Sequence, residues 1–480
     1  MADAFTKEIG LVRTTKHYLA SIEGLPSAHV HDIIVNEKGD RALVTALSHD
    51  AVEVMLLDSM DVRPGEQFEL QPQENQLSFG PFLMGRTVNA LGDPIDGKGA
   101  LPPANATLAL ELEAGDLARR APITKLLETG YAMLDTVLPI GKGQRQLLMG
   151  PIQSGTDVFC REVIRNQDPE TTVCIYASIG KPATAVRRLT ESLFAGEAAE
   201  NTVVLASTAD DGAPQNTLAP SVALLMAEHY AREGKDVLVI LDDLYTHAKY
   251  LREIALLQGR LPGRESYPGD VFYQQAHLIE RAGSFVDGGS ITLLPLLQTD
   301  IESTTDLIMT NIMGTTDGHL QFSSALHAQG VFPPIHEDES VTRVGKHAHT
   351  MVQKQLSTTI VSALAEAKEQ ERYSQFGSDV SESTQSVIDM GRIFRFLLDQ
   401  DEELHVSVEV QAVLLTLVLT SFTSGKDVSF FRKNIASISE IAHSDELATV
   451  RDAVHTEQDF NTFLAEMEKQ VNKFQKACQQ

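Results

Sequence analysis

One stretch constrains the fold more than any other. The apolar run Gln146-Leu147-Leu148-Met149 leads into Gly150-Pro151-Ile152-Gln153-Ser154-Gly155-Thr156-Asp157, and a helical run, Val158-Phe159-Cys160-Arg161-Glu162-Val163-Ile164, follows. A strand, an eight-residue turn with glycine in its first and sixth places, and a helix make the frame of a phosphate-binding loop. In a working loop the next two residues are Lys and Ser or Thr; the lysine reaches the outer phosphates and the hydroxyl holds Mg²⁺. Here those places are Thr156 and Asp157, so one cation is lost and one anion gained. A single charge pair at about 4 Å is worth ~1 kcal/mol in water and roughly 4 at an effective dielectric of about 20. The expectation is therefore a site in which Gly150, Gln153, Ser154, Gly155, Thr156 and Asp157 bind Mg-ATP weakly or not at all. Asp157, in the first helical turn, complements the helix dipole in place of a phosphate. The alternative is a nucleotide held by loop amides and contacts to its base.

The same alternation surrounds this unit. Short β-branched runs recur at 172–179 (TVCIYASI), 202–207 (TVVLAS), 236–243 (DVLVILDD) and 290–297 (SITLLPLL), with helical stretches such as SVALLMAEHYAREG between them. Strands alternating with helices predict parallel strands joined by crossover helices. DVLVILDD is apolar until it ends in Asp242 and Asp243, the pattern of a strand buried on both faces that delivers carboxylates at its C-terminal edge. Residues 1–78 read differently: RALVTALSHD and AVEVMLLDSM alternate, and Glu37-Lys38-Gly39-Asp40 and Arg63-Pro64-Gly65 are turn signals, which predicts a small closed β-barrel. From 347 to 480 the spacing is helical throughout. The expected architecture is multidomain: an N-terminal β-barrel over 1–78, a central α/β domain of the P-loop type over 79–346, and a C-terminal α-helical bundle over 347–480.

Charge removes one class of function. Lys+Arg 39 against Asp+Glu 66 gives a net charge of -27, and non-specific nucleic-acid binding needs a cationic surface. Anionic membranes also repel such a chain unless another subunit tethers it. The longest apolar run, Val410–Leu419, falls far short of the ~20 residues of a spanning helix and predicts a buried one. MADAFTKEIGLV has no basic segment followed by an apolar one, so no signal peptide is expected. Cys160, Cys174 and Cys478 form no metal-ligand spacing and read as reduced thiols, and no metal site is expected.

An ordered set of further motifs surrounds the loop. Leu83-Met84-Gly85-Arg86-Thr87-Val88-Asn89-Ala90-Leu91-Gly92-Asp93-Pro94-Ile95-Asp96-Gly97 opens the middle segment, and Pro139-Ile140-Gly141-Lys142-Gly143-Gln144-Arg145 precedes the loop. Leu261-Pro262-Gly263-Arg264-Glu265-Ser266-Tyr267-Pro268-Gly269-Asp270, Thr310-Asn311-Ile312-Met313-Gly314-Thr315-Thr316-Asp317-Gly318 and Ser340-Val341-Thr342-Arg343-Val344-Gly345 follow. Over nearly the whole chain this set resembles the alpha subunit of F-type ATP synthases. It favours alpha over beta at 340–345 and at Ser374-Gln375-Phe376-Gly377-Ser378-Asp379.

The resemblance implies a barrel, a RecA-like nucleotide domain and a helical domain. It implies a non-catalytic subunit alternating with catalytic beta-type subunits around a gamma-type central stalk, in a proton- or sodium-translocating assembly. The chain would lie peripherally on the cytoplasmic side of the membrane, reaching it only through other subunits. No nucleotide would be bound tightly by the chain itself; Mg-ATP or ADP would sit at the interface with beta. Arg343 matches the arginine finger lent to the beta site, a group worth about 10³ to 10⁵ in rate. Asp242 matches the Walker B carboxylate, with a plain strand-end acid as the alternative. Lys181 stands where beta carries its glutamate base and alpha usually a glutamine. It reads either as a solvated lysine or as a partner for Asp157. Gln400 matches one of two glutamines near the adenine, and Glu402 replaces the other. Gly314 replaces a serine that helps bind phosphate in the beta site. The 261–270 turns would line the stalk bearing. The family docks a delta-type peripheral-stalk subunit on an N-terminal helix, and about seven residues stand ahead of the barrel here. Two other readings remain: a divergent paralogue in a ring without ion coupling, and a homohexameric export ATPase. The second needs a lysine and a carboxylate where Thr156 and Lys181 stand.

Overall fold

The computed structural model describes residues 8–71, 76–103, 106–107, 117–299, 306–374, 381–456 and 459–479. Most of the alpha-type motif at 374–379 lies outside them. Strands β1 (Ile9–Lys16), β2 (Leu19–Glu23), β3 (Ile33–Asn36), β4 (Arg41–Leu47), β5 (Val52–Leu56) and β6 (Gln67–Leu70) close into a barrel in the order β1-β2-β5-β4-β3-β6. The alternation in the sequence sends Val12, Ala20, Ile22, Ile34, Val44, Val54 and Phe68 inward, each 3% exposed or less. Closure leaves no free edge on a small sheet that water would otherwise attack. At the β3–β4 turn the Asn36 carboxamide oxygen accepts from the amides of Lys38 and Asp40, which is why a short polar side chain ends the strand there.

Chain contacts divide the protein into two units. The first joins Met1–Ala121 to Asp168–Thr316, the second Pro122–Gln167 to Asp317–Gln480. In the first, parallel strands lie in the order Ser290–Thr299, Asp236–Asp242, Thr172–Lys181, Thr202–Thr208, Thr87–Val88. Helices Ala183–Leu193, Gly212–Arg232, Leu244–Leu257 and Val271–Glu280 follow them. The central strands are buried on both faces, as their unbroken apolar runs require. The expected second acid of DVLVILDD leaves the strand: Asp243 is the N-cap of Leu244–Leu257 and accepts from the Thr246 amide at 2.6 Å.

In the second unit strand Gln146–Pro151 runs parallel to Gly318–Gln321, which pairs antiparallel with Val341–Thr342. Helix Thr156–Arg165 follows the glycine-framed turn. The C-terminal part holds helices Met351–Ser374, Glu382–Leu398, Val408–Leu417, Val428–His443, Ala448–Ala453 and Phe460–Ala477. They close over Phe422, Phe431, Phe463 and Phe474, all fully buried. Val408–Leu417 is buried on nearly all sides, which accounts for the long apolar run read in the sequence. Among the described residues no helix is long and apolar enough to cross a membrane.

Candidate functional site

The loop is built as its frame predicts. Gly155 takes a left-handed conformation (φ 79°) as N-cap of Thr156–Arg165, and a Cβ there would stand 2.8 Å from the His327 ring and 3.1 Å from Pro334. Only glycine meets both demands. Ser154 and Thr156 are buried and their hydroxyls pair at 2.9 Å, while Gln153 and Asp157 are exposed. The hydroxyl at the lysine place thus points into a neutral pair inside the loop. His327, whose ring crowds Gly155, stands 3.9 Å from Glu402. Gln400 is spent on the backbone: its oxygen accepts from the Ala132 amide at 2.6 Å, and its nitrogen donates to the carbonyls of Gly130 and Leu404. The side chain read as lying near an adenine ties 130–132 to 400–404.

Asp242 lies in the first unit, at the C-terminal end of its strand and 5% exposed. Its Oδ2 accepts from the Tyr176 hydroxyl at 2.7 Å. Its Oδ1 meets the Lys181 ammonium at 2.8 Å in an ion pair that lacks hydrogen-bond alignment. Lys181 also donates to Gln298 Oε1 at 2.8 Å. Lys181 is therefore not a solvated lysine; its anionic partner is Asp242. Both oxygens of Asp243 accept from Thr246, and burial, with the charge of Asp242 beside it, pushes the Asp243 carboxyl up to about 6. Sequence reasoning missed Tyr176 and Gln298. Their only signal is position, on the two strands that flank Asp236–Asp242.

Arg343 is exposed, immediately after strand Val341–Thr342. Its amide donates to the Asp317 carbonyl at 3.0 Å. The Asp317 carboxylate takes the Arg145 guanidinium in a fork, Nε at 2.9 Å and Nη2 at 2.7 Å, together with the Arg145 amide at 3.0 Å. Thr342 Oγ1 donates to the Pro139 carbonyl at 2.8 Å, and Gln144 and Gln146 bond to each other and to Thr342 and the Val341 carbonyl. The Pro139–Arg145 motif, with Gln146 at the start of the next strand, is thus the bed on which Ser340–Gly345 lies. Burial, with a smaller contribution from the Arg343 charge, holds the His319 imidazole below its usual range. This is a rigid mount for a cation at a surface. Gly314, in helix Leu307–Thr315, has open space where a Cβ would stand. The 261–266 stretch is exposed throughout, Leu261 to 90%. Among the described residues no cluster of three or more His, Cys, Asp or Glu is arranged to hold a metal.

A closed barrel, strand–helix units carrying a glycine-framed loop and a strand-end carboxylate, and a helical C-terminal part define the RecA-like nucleotide-binding class. The family model for the ATP synthase alpha/beta family, nucleotide-binding domain, matches residues 130–342, and that for the ATP synthase alpha/beta chain, C terminal domain, matches 350–476. ATP synthase subunit alpha 1 of Rhodopirellula baltica is 34% identical over 426 residues, 88% of this chain and 84% of its own length. ATP synthase subunit alpha of Caldanaerobacter subterraneus subsp. tengcongensis is 35% identical over 431 residues, 89% and 85% respectively. That of Rhodococcus jostii is 36% identical over 429 residues, 86% and 78%. The chain belongs to the ATP synthase alpha/beta family, with the F-type alpha subunits.

Proposed function

We propose that this chain is a non-catalytic alpha-type subunit of an F-type ATP synthase that translocates protons or sodium. It alternates with beta-type subunits and supplies Arg343 in trans to their sites. The observation that carries this reading is the mount of Arg343: an exposed guanidinium on a strand end fixed by the Arg145–Asp317 fork. A planar donor held this way stabilises charge on a phosphoryl group transferring in a neighbour's site. The subunit's own residues do not fit Mg-nucleotide. Thr156 offers a paired hydroxyl where the family has a cation, Asp157 an anion where it has a hydroxyl, and Asp242 has one oxygen on the Tyr176 hydroxyl and the other ion-paired with Lys181. Mg-ATP and ADP belong to the interface with beta. The exposed 261–266 turn fits a bearing for a gamma-type stalk. A delta-type peripheral stalk would complete the assembly, which lies on the cytoplasmic face of the membrane.

The test is steady-state Mg-ATP hydrolysis by the chain assembled with its cognate beta-type subunit, as wild type and as Arg343→Ala. A fall of about a hundredfold or more with the ring intact is the expected result, from the ~10³ to 10⁵ such a group contributes. Unchanged turnover would leave the second reading, a ring without ion coupling, which Thr156, Asp157 and Gly314 favour.

A further inference from the structure

In P-loop nucleotide-binding proteins the Walker B carboxylate serves a divalent cation. Here the corresponding carboxylate is already served. Lys181, Asp242 and Gln298 come from three adjacent parallel strands, at or near their C-terminal ends, the edge at which open α/β sheets bind ligands. The Asp242 carboxylate has one oxygen on the Tyr176 hydroxyl and the other on the Lys181 ammonium, which is itself anchored by Gln298. Both oxygens of Asp243 are used to cap Leu244–Leu257. A hard divalent ion binds through carboxylate oxygens and keeps several waters. Asp242 Oδ1 makes no aligned hydrogen bond and faces the Lys181 ammonium at 2.8 Å, so a divalent ion brought to it would meet a cation already in place.

We propose that Lys181 is a built-in cation at Asp242, taking the place of the divalent ion that such a carboxylate serves, so that this subunit is independent of divalent ions. The side chain does by covalent attachment what a diffusible ion does elsewhere: it neutralises a buried carboxylate at the strand ends. The proposal rests on reading Asp242 as the Walker B-type acid. Its test uses the isolated full-length chain, whereas the alpha-subunit reading is decided by Arg343 in the assembled ring, so either can fail without the other.

The experiment is thermal unfolding and Mn²⁺ binding, followed by loss of the free-ion paramagnetic signal, for the wild type, Lys181→Gln, Lys181→Arg and Lys181→Gln/Asp242→Asn. Wild type and Lys181→Arg are expected to show no Asp242-dependent Mn²⁺ binding and a melting temperature indifferent to millimolar Mg²⁺ or Mn²⁺. Lys181→Gln is expected to melt lower, to recover when the divalent ion is added, and to bind Mn²⁺ saturably. The double variant loses that response. A wild type that binds Mn²⁺ through Asp242 overturns the proposal, as does a Lys181→Gln variant whose deficit no divalent ion repairs. If Lys181→Gln is recovered only unfolded, refolding it from urea with and without Mn²⁺ gives the same decision: rescue by the ion supports the proposal and failure in both overturns it.

Discussion

Asp317→Asn tests whether Arg343 is placed by the fork beneath it. At 2.7 Å and an effective dielectric of about 20, the gross attraction between Asp317 and Arg145 is about 6 kcal/mol. The two side chains are 14% and 28% exposed, so desolvation and solvent screening offset much of this. Removing the charge also turns one accepting oxygen into an amide that faces guanidinium donors. The net loss comes to about 2–3 kcal/mol. In urea, with a slope of ~2–3 kcal/mol per molar, the midpoint falls by roughly 1 M. The functional consequence is separate. Asp317 also accepts from the Arg343 amide through its carbonyl, so loosening the fork shifts the arginine's base. A misplacement of about 1 Å at a reacting centre costs on the order of 10²-fold. Ring turnover by Asp317→Asn is expected to fall ten- to a hundredfold, with kcat and kcat/KM falling together because a group of this kind acts in the transition state. Arg145→Lys, which keeps the charge and loses the fork, should lie between. A lowered urea midpoint with unchanged ring turnover would refute the positioning argument, and an unchanged midpoint would refute the energetic one.

Two further outcomes are expected. Gly314→Ser enters open space, so it should fold normally and gain up to about 0.5 kcal/mol of helix propensity. In the ring its hydroxyl should restore one phosphate contact, worth ~1 kcal/mol or about fivefold in the Mg-ATP concentration at half-maximal rate. Burial lowers His247 to about 4, and its Nε2 lies 3.2 Å from the Thr217 carbonyl. The folded pKa is below the unfolded one, so the stability this residue contributes is present above about 6.5 and is lost as pH falls towards 4. Asp135 and Asp243, both raised to about 6, act in the opposite direction, so the readout is a difference between curves. His247→Gln keeps a donor for Thr217, and its urea stability should decline less than that of the wild type between pH 6.5 and 4. Parallel curves would refute the assignment.

The elements most legible in the sequence are those whose local preference and burial agree. DVLVILDD and TVCIYASI are strands by side-chain shape and interior by composition, and the structure uses them as both. The barrel is legible because each strand has one wet face. Gly318–Gln321 is not legible in the sequence: four residues, two of them polar, are buried, His319 to 9% and Gln321 to 7% exposure, because Gln146–Pro151 and Val341–Thr342 flank them. The Arg145–Asp317 fork joins residues 172 positions apart, which no local pattern reveals. For Lys181 the sequence offered solvent or Asp157. Its choice of Asp242 depends on which strands lie side by side, and that is set by the sheet order. Gln400 was assigned by type, yet a carboxamide that suits a nucleotide base suits the Ala132 amide and the Gly130 carbonyl equally well.

The departures from the family pattern fall unevenly. By the family resemblance, Thr156, Asp157, Gly314 and Glu402 each replace a group that holds a phosphate, a metal or a nucleotide base, and Lys181 stands where beta carries its glutamate base and alpha usually a glutamine. The residues around Arg343 instead form a closed set of bonds: Arg145 to Asp317, Asp317 to the Arg343 amide, Thr342 to Pro139, Gln144 to Gln146 and Gln146 to Val341. Relaxed selection on the whole ring interface would loosen both sets, because a buried hydrogen-bonding set that loses one member leaves the others unsatisfied at ~1–3 kcal/mol each. A chain needed only as a spacer has no use for a guanidinium on a fixed strand end. A chain that has given up its own nucleotide chemistry and still serves a neighbour needs that guanidinium and little else of the site. The proposed role in trans requires order at this place, and the Asp317→Asn and Arg343→Ala variants put that requirement to the same assay.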